Sequence, residues 1–456
     1  MFVVERVDAM SDRIRELQHL IALAERSMAL HWISADKNHR LHARSVMARV
    51  EAIPDEFAQI NDVVVFITHE ALKLASLEAF AGQGWSIWID EVPDVLDHDK
   101  HRFCLTWPQL QAIYRLEPSG SGKWSKVSLI GDSPELADLA NDDGLEMLRP
   151  FHRRVADPRR EVFIDITDWE ELSVRGRELI WYSLWSPDDL RHFQSVVMLG
   201  NRLPSSASVA ILNAKWPNIE WRRIPATNRS FAFRRVHITY FAENHCASRA
   251  LFKTDQGQRN LAKIAEHIGF RVPPHSHIWT CNDPDVAHLK TLTGTHLRPR
   301  QSGSNSFAHV TNATMIYTAK PEPKMRAIYE RLGVNPDFFT RSNEREVILQ
   351  FMCRTSLREA DDHRDVHLYV YDRQQAEYLR DCLEADPRGY VDCDLNLENL
   401  GFAYDVRDTR PGRRHVVLTP AEAAAKKESD RIKDRDRKRD GRAAKKAAAA
   451  NDEGVS

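Results

Sequence analysis

The chain has 456 residues, of which 42% are hydrophobic and 29% charged, a composition that suits a globular protein with two to three domains and ample core. A formal net charge of -2 excludes a generally basic nucleic-acid coat, so any such binding must use a local stripe. Six cysteines without a CxxC pair, no apolar run of spanning length and no basic-then-apolar leader give the expectation of reduced thiols, a cytoplasmic location and no membrane partner.

In chain order, Met1–Val4 reads as a strand. It feeds a helix whose apolar positions Met10, Ile14, Leu17, Ile21, Ala24 and Met28 keep three-and-four spacing, with Arg13, Arg15, Glu16 and Arg26 on the other side. Val63–Ile67 is a second apolar, β-branched run. Thr68 follows it in position to N-cap a helix that opens with His69. The next apolar strand, Trp85 to Ile89, delivers Asp90 and Glu91 to its C-terminal end and stops at Pro93. Continuous apolar runs without alternation belong to parallel strands covered by helices on both faces. Adjacent carboxylates at such a strand end suit magnesium-dependent nucleotide hydrolysis, one holding hydrated Mg²⁺ on the phosphates and the other orienting the attacking water. Asp-Glu before Pro is also ordinary turn chemistry.

Between 105 and 225 the same alternation is expected to continue, with a helix over Leu105–Leu116, a strand over Val127–Ile130, and helices started by Ser133-Pro134-Glu135 and Ser186-Pro187-Asp188. Ser119–Trp124 holds a Gly-Lys pair in a glycine-rich setting. It lacks the P-loop spacing, the hydroxyl after the lysine and a leading strand, and reads as a loop. Ser195–Leu199 is another strand, ending at Gly200-Asn201, with a helix from Ser205-Ser206. Trp221–Arg223 and Arg229–Arg235 interleave arginine with aromatics, as a phosphate-and-base surface would or as the polar face of edge strands at a domain link would.

The second half repeats the α/β rhythm. Strands are predicted over Val236–Phe241, His277–Thr280, Thr314–Tyr317 and Val366–Tyr371. Helices are predicted over Gln258–Ile268, Pro284–Leu292, Pro323–Leu332, Glu344–Arg358 and Gln374–Leu383, implying a parallel sheet with helices on both faces. Within the helix over 344–358, Gln350, Arg354 and Arg358 fall on one stripe. That stripe either presents guanidinium groups to a phosphate or is a solvated face paired with Glu346, Glu359 or Asp361. After Thr419 the composition turns low-complexity and mixed-charge, unable to pack a core.

The ordered elements Phe66-Ile-Thr-His-Glu-Ala-Leu72 and Ile87-Trp-Ile-Asp-Glu-Val-Pro93, with Leu297–Phe307 and Gln350–Arg358 further on, resemble superfamily 2 DEAD/DEAH-type helicases in the divergent form of phage and mobile elements. The resemblance implies two RecA-like α/β domains, at 1–225 and 226–418, and a charged tail at 419–456. It implies an ATP-dependent helicase whose Asp90 binds Mg²⁺, whose Glu91 positions water, and whose Arg354 and Arg358, with Gln350, stabilise the transferring phosphate. Gly303 and Asn305 would touch the nucleotide at the interdomain cleft, and Thr68, His69, Arg298 and Arg300 the nucleic acid, DNA favoured over RNA. The family's GxxxxGK[S/T] loop does not occur in these residues. ATP and Mg²⁺ are therefore expected in a complete family member, with the P-loop on an upstream segment or a partner subunit, and this chain alone is expected to be inactive as an ATPase. Two other readings stay open: a non-catalytic helicase-like protein that binds nucleic acid or a partner, and a terminase-like ATPase-nuclease.

Overall fold

The computed structural model describes residues 1–34, 45–102, 107–119, 123–131, 133–135, 138–139, 146–166, 178–224, 230–300, 306–385 and 390–402. Residues 1–402 form one compact unit. The tail expected at 419–456, Gly303 and Asn305 all lie outside the described residues.

The chain begins with β1 (Phe2–Val4), α1 (Val7–Leu23), β2 (Ala29–Trp32), β3 (Val63–Thr68), α2 (His69–Leu74) and β4 (Ser86–Asp90). Val3, Ile67, Ile87 and Ile89 enter one core, while Val4 and Phe66 turn to the opposite face, where Ala9 and Met10 of α1 meet them. Alternate side chains of β1 and β3 thus have an apolar destination on both faces, which is why these two strands read as unbroken apolar runs, whereas Trp88 of β4 stays 44% exposed. The helix is shorter than its periodicity suggests. It stops at Leu23, and the chain reverses through Glu25 at φ 50°.

A second sheet departs from the expected alternation. β5 (Leu96–Arg102), β6 (Tyr114–Pro118), β7 (Trp124–Leu129), β8 (Arg160–Asp165) and β9 (Glu178–Trp185) form an antiparallel sheet in the order β5-β9-β8-β7-β6. Its core includes Tyr114, Phe151 and Trp181. The helix expected to reach Leu116 ends at Ile113, because Tyr114-Arg-Leu-Glu117 alternates with the period of a strand and pairs with β7. Ser119 follows β6 and Lys123 precedes β7, so the Gly-Lys segment is the connection of this hairpin. Ser186 does cap, accepting from the Asp188 N–H at 3.2 Å, but what it starts is a 3₁₀ turn, Pro187–His192.

The chain then returns to the first sheet through β10 (Ser195–Leu199), giving the all-parallel order β10-β4-β1-β3-β2. Ser206 caps the following helix Ala207–Lys215 by accepting from the Val209 N–H at 3.2 Å.

The remaining strands are β11 (Arg234–Ala242), β12 (His277–Cys281), β13 (Thr295–His296), β14 (Asn312–Ile316), β15 (Val366–Asp372) and β16 (Val391–Leu397). They form a second parallel sheet in the order β13-β12-β14-β15-β11-β16. Helices α3 (Asp255–Arg271), α5 (Glu346–Met352) and α6 (Arg373–Glu384) accompany it, whereas α4 (Pro323–Arg331) sends Met325, Ile328 and Tyr329 into the core that the first sheet shares. Two parallel sheets flanked by helices are the architecture that a RecA-like reading expects. The Arg/aromatic stretch enters the fold structurally at its end: the buried Arg234 guanidinium donates to the carbonyls of Ser356 and Glu359, and Phe231 stacks on Tyr390 at 4.6 Å.

The helix expected over 344–358 is replaced by a π-turn at Arg341–Arg345 and a short α5 that ends at Met352. Thr355 donates its hydroxyl to the Met352 carbonyl at 2.8 Å, competing with the helical ladder, and Ser356–Arg358 winds into a separate 3₁₀ turn. Gln350, Arg354 and Arg358 therefore do not form one helical stripe.

Candidate interdomain site

A cleft of about 230 Å³ opens between the C-terminal ends of the first parallel sheet and the helices of the second. Glu5, His69, Glu91 and Gly200 line it from one side, and Arg300, Asn343, Glu346, Gln350 and Arg354 from the other. Five residues singled out in the sequence thus meet in one place: His69, Glu91, Arg300, Gln350 and Arg354.

The acidic pair divides at the end of β4. Asp90 turns to α1, where Arg13 donates to its Oδ2 from Nε at 3.0 Å and from Nη2 at 2.9 Å. Glu91 adopts a left-handed backbone, φ 65°, at a cost of roughly 1–2 kcal/mol for a residue with a Cβ. That turn sends its carboxylate into the cleft over Gly200. Burial raises the Glu91 pKa to about 7, and the negative charges of Asp90, Glu5 and Glu346 add to the rise. A carboxyl titrating near neutrality is suited to exchange a proton with a bound water or hydroxyl.

His69 is placed by its own helix. Thr68 caps α2 by accepting from the Ala71 N–H at 3.2 Å, which fixes His69 as the first helical residue. Only 8% exposed, its ring donates from Nε2 to the Asp90 carbonyl at 2.9 Å. Burial lowers its pKa, keeping the imidazole neutral. His69 therefore faces the acidic turn, and is not on an outer nucleic-acid surface.

Across the cleft, Arg354 follows α5 and is 6% exposed, with Nη1 lacking a hydrogen-bond partner. Burial, then the nearby charges of Arg358 and Arg6, lower its pKa to about 10. A buried, incompletely paired guanidinium lining a cavity is a site for an anion. Arg358 is exposed and does not line the cleft; its charge lowers the Arg354 pKa. Arg300 donates from Nη2 to Asn343 Oδ1 at 2.6 Å, and its carbonyl accepts from the Arg6 guanidinium, tying the loop after β1 to the other side. Arg298 is exposed and outside the lining.

Sequence reasoning passed over Glu5, and it named Arg13 and Glu346 only as members of polar helix faces. Glu5 carries a legible signal, because it stands directly after a parallel strand, where such sheets place their ligand-facing residues. Arg13 gave none beyond lying on the polar side of α1.

The Mg²⁺ role expected of Asp90 does not fit this arrangement, since Arg13 already supplies the positive charge on that carboxylate and the side chain is turned away from the cleft. Among the described residues, no group of three or more His, Cys, Asp or Glu side chains could hold a metal ion. Among them also, no helix is long and apolar enough to cross a membrane.

No family model matches the chain, and no curated protein matches it. A solved structure described as an XPD helicase is similar over 87% of this chain and 91% of its own, at 10% identity and a TM-score of 0.43. At that level of overlap the likeness adds nothing to the topology already described.

Proposed function

We propose that this chain is a helicase-type core that binds nucleic acid, DNA favoured over RNA, and supplies two parts of an interdomain nucleotide site without the phosphate cradle. One observation carries the reading: Glu91, at the end of a strand of the first sheet, and Arg354, beyond a helix of the second, line the same cleft. A site split between two α/β halves couples ligand binding to closure and release. In this reading Glu91 positions the attacking water, and Arg354 stabilises charge on the transferring phosphoryl group, with Gln350 beside it.

Phosphates in such sites are held by backbone N–H groups of a glycine loop at a helix N-terminus plus a lysine, a motif the sequence does not contain. The chain by itself therefore neither holds ATP tightly nor hydrolyses it. A P-loop contributed by another segment or subunit would complete the site. A second reading, a non-catalytic nucleic-acid-binding or partner-binding protein, is favoured by the Arg13–Asp90 pair, which occupies the carboxylate that a metal would need.

The test is a pair of measurements on the 456-residue chain. Single-stranded DNA should bind with an affinity that falls steeply with salt and ignores ATP. ATP turnover should be no higher than in the Glu91→Gln variant. Absence of DNA binding refutes the helicase-type reading, and robust Glu91-dependent turnover refutes the missing cradle. With a P-loop segment supplied and turnover established, Arg354→Ala should slow hydrolysis by ~10³.

A further inference from the structure

We infer that His69 is the positioning residue that holds the Asp90–Glu91 peptide in the orientation from which Glu91 enters the cleft. The β1–β4 pairing reaches only Val3 opposite Ile89. Beyond it, the Asp90 carbonyl accepts from His69 Nε2 at 2.9 Å, taking the ring in place of a ladder partner. The other side of the same peptide is tied as well, because the Glu91 N–H donates to the Leu199 carbonyl of β10 at 2.8 Å. With both ends of one peptide unit fixed, the chain can continue into the left-handed conformation that Glu91 adopts.

The reach is unusual for a histidine at the start of a helix. His69 follows β3, and β1 lies between β3 and β4, so the ring spans one intervening strand to meet the turn after β4. Thr68 makes that possible by capping α2 and setting the direction in which its first side chain leaves. A threonine cap, a buried imidazole and a left-handed glutamate therefore act in series, the first two adjacent in the chain at the β3–α2 junction and the third at the turn after β4. The importance of Glu91 rests on the functional reading above, whereas the mechanical role of His69 does not.

Amide hydrogen exchange read by mass spectrometry, on peptides spanning 85–92 and control peptides from β11, tests the assignment without any nucleotide. His69→Ala should raise exchange at the Glu91 amide about tenfold, the scale of one lost hydrogen bond, and leave β11 unchanged. His69→Gln, whose amide nitrogen reaches the position of Nε2, should restore protection. His69→Asn is too short to do so and should resemble alanine while leaving a smaller gap. Unchanged exchange at Glu91 in the alanine and asparagine variants overturns the proposal. So does exchange raised throughout the protein in both, which would make His69 a general core residue. Because no turnover is measured, failure here counts against His69 alone, and failure of the DNA and ATP measurements counts against the functional reading alone.

Discussion

Replacing Arg354 with methionine should make the protein more stable. The guanidinium is 6% exposed and its Nη1 has no hydrogen-bond partner, so the fold holds a charge that it only partly compensates. Lowering the pKa from the ordinary arginine value to about 10 corresponds, at ~1.4 kcal/mol per pH unit, to a penalty of about 3 kcal/mol for the folded cation. The sign follows from proton binding. The unfolded chain holds this proton more tightly, so the penalty is fully present at all pH values below about 10 and is relieved only as pH rises above that toward the ordinary arginine value. Methionine keeps the length and apolar stem without the charge, and a gain of about 1–3 kcal/mol is expected at neutral pH. Urea unfolding followed by tryptophan fluorescence measures it. Added inorganic pyrophosphate should raise the wild-type midpoint, by ~1.4 kcal/mol at ten times its dissociation constant, and leave Arg354→Met unmoved. A methionine variant less stable than wild type by more than about 1 kcal/mol would mean that Arg354 braces the fold, and the anion-site reasoning fails.

Glu91 gives a pH signature of the opposite kind. Its folded pKa is raised from 4.5 to about 7, so its contribution to stability is fully present below pH 4.5 and is lost as pH rises through 7, amounting to at most ~3 kcal/mol. Glu91→Gln should remove that part of the stability loss between pH 5 and 8, and an identical pH slope in both proteins would show that the carboxyl is solvated. Gly294 sits at φ +100°, where an added Cβ would lie 2.4 Å from the His277 carbonyl oxygen. Gly294→Ala should therefore cost at least ~2 kcal/mol in urea unfolding, and a change within about 0.5 kcal/mol would contradict the close approach.

The parallel strands and the acidic turn were legible because their signals are local. β1, β3, β4 and β10 are short apolar runs whose ends carry turn or cap residues, a pattern written in the chain itself, and in β1 and β3 burial on both faces lies behind it. Thr68 and Ser206 declared their helices through side chains that satisfy N–H groups three residues on. The antiparallel insertion was missed because β6 alternates over so few residues that a preceding helix could absorb it. The Gln350–Arg358 stripe failed for a related reason: helical spacing projects a face only while the helix lasts, and Thr355 ends it.

What the sequence determined by itself was that an aspartate and a glutamate would stand together where a buried strand ends; it set Arg354 and Arg358 inside a helix, which the structure instead ends at Met352. Which acid faces the cleft was decided only in three dimensions. Arg13 draws Asp90 onto α1, His69 and Leu199 pin the peptide between the two acids, and Glu91 is left to turn into the cleft that Arg354 lines from the other side. Each of those contacts joins residues far apart in the chain, and their strength depends on burial, which a local pattern does not record.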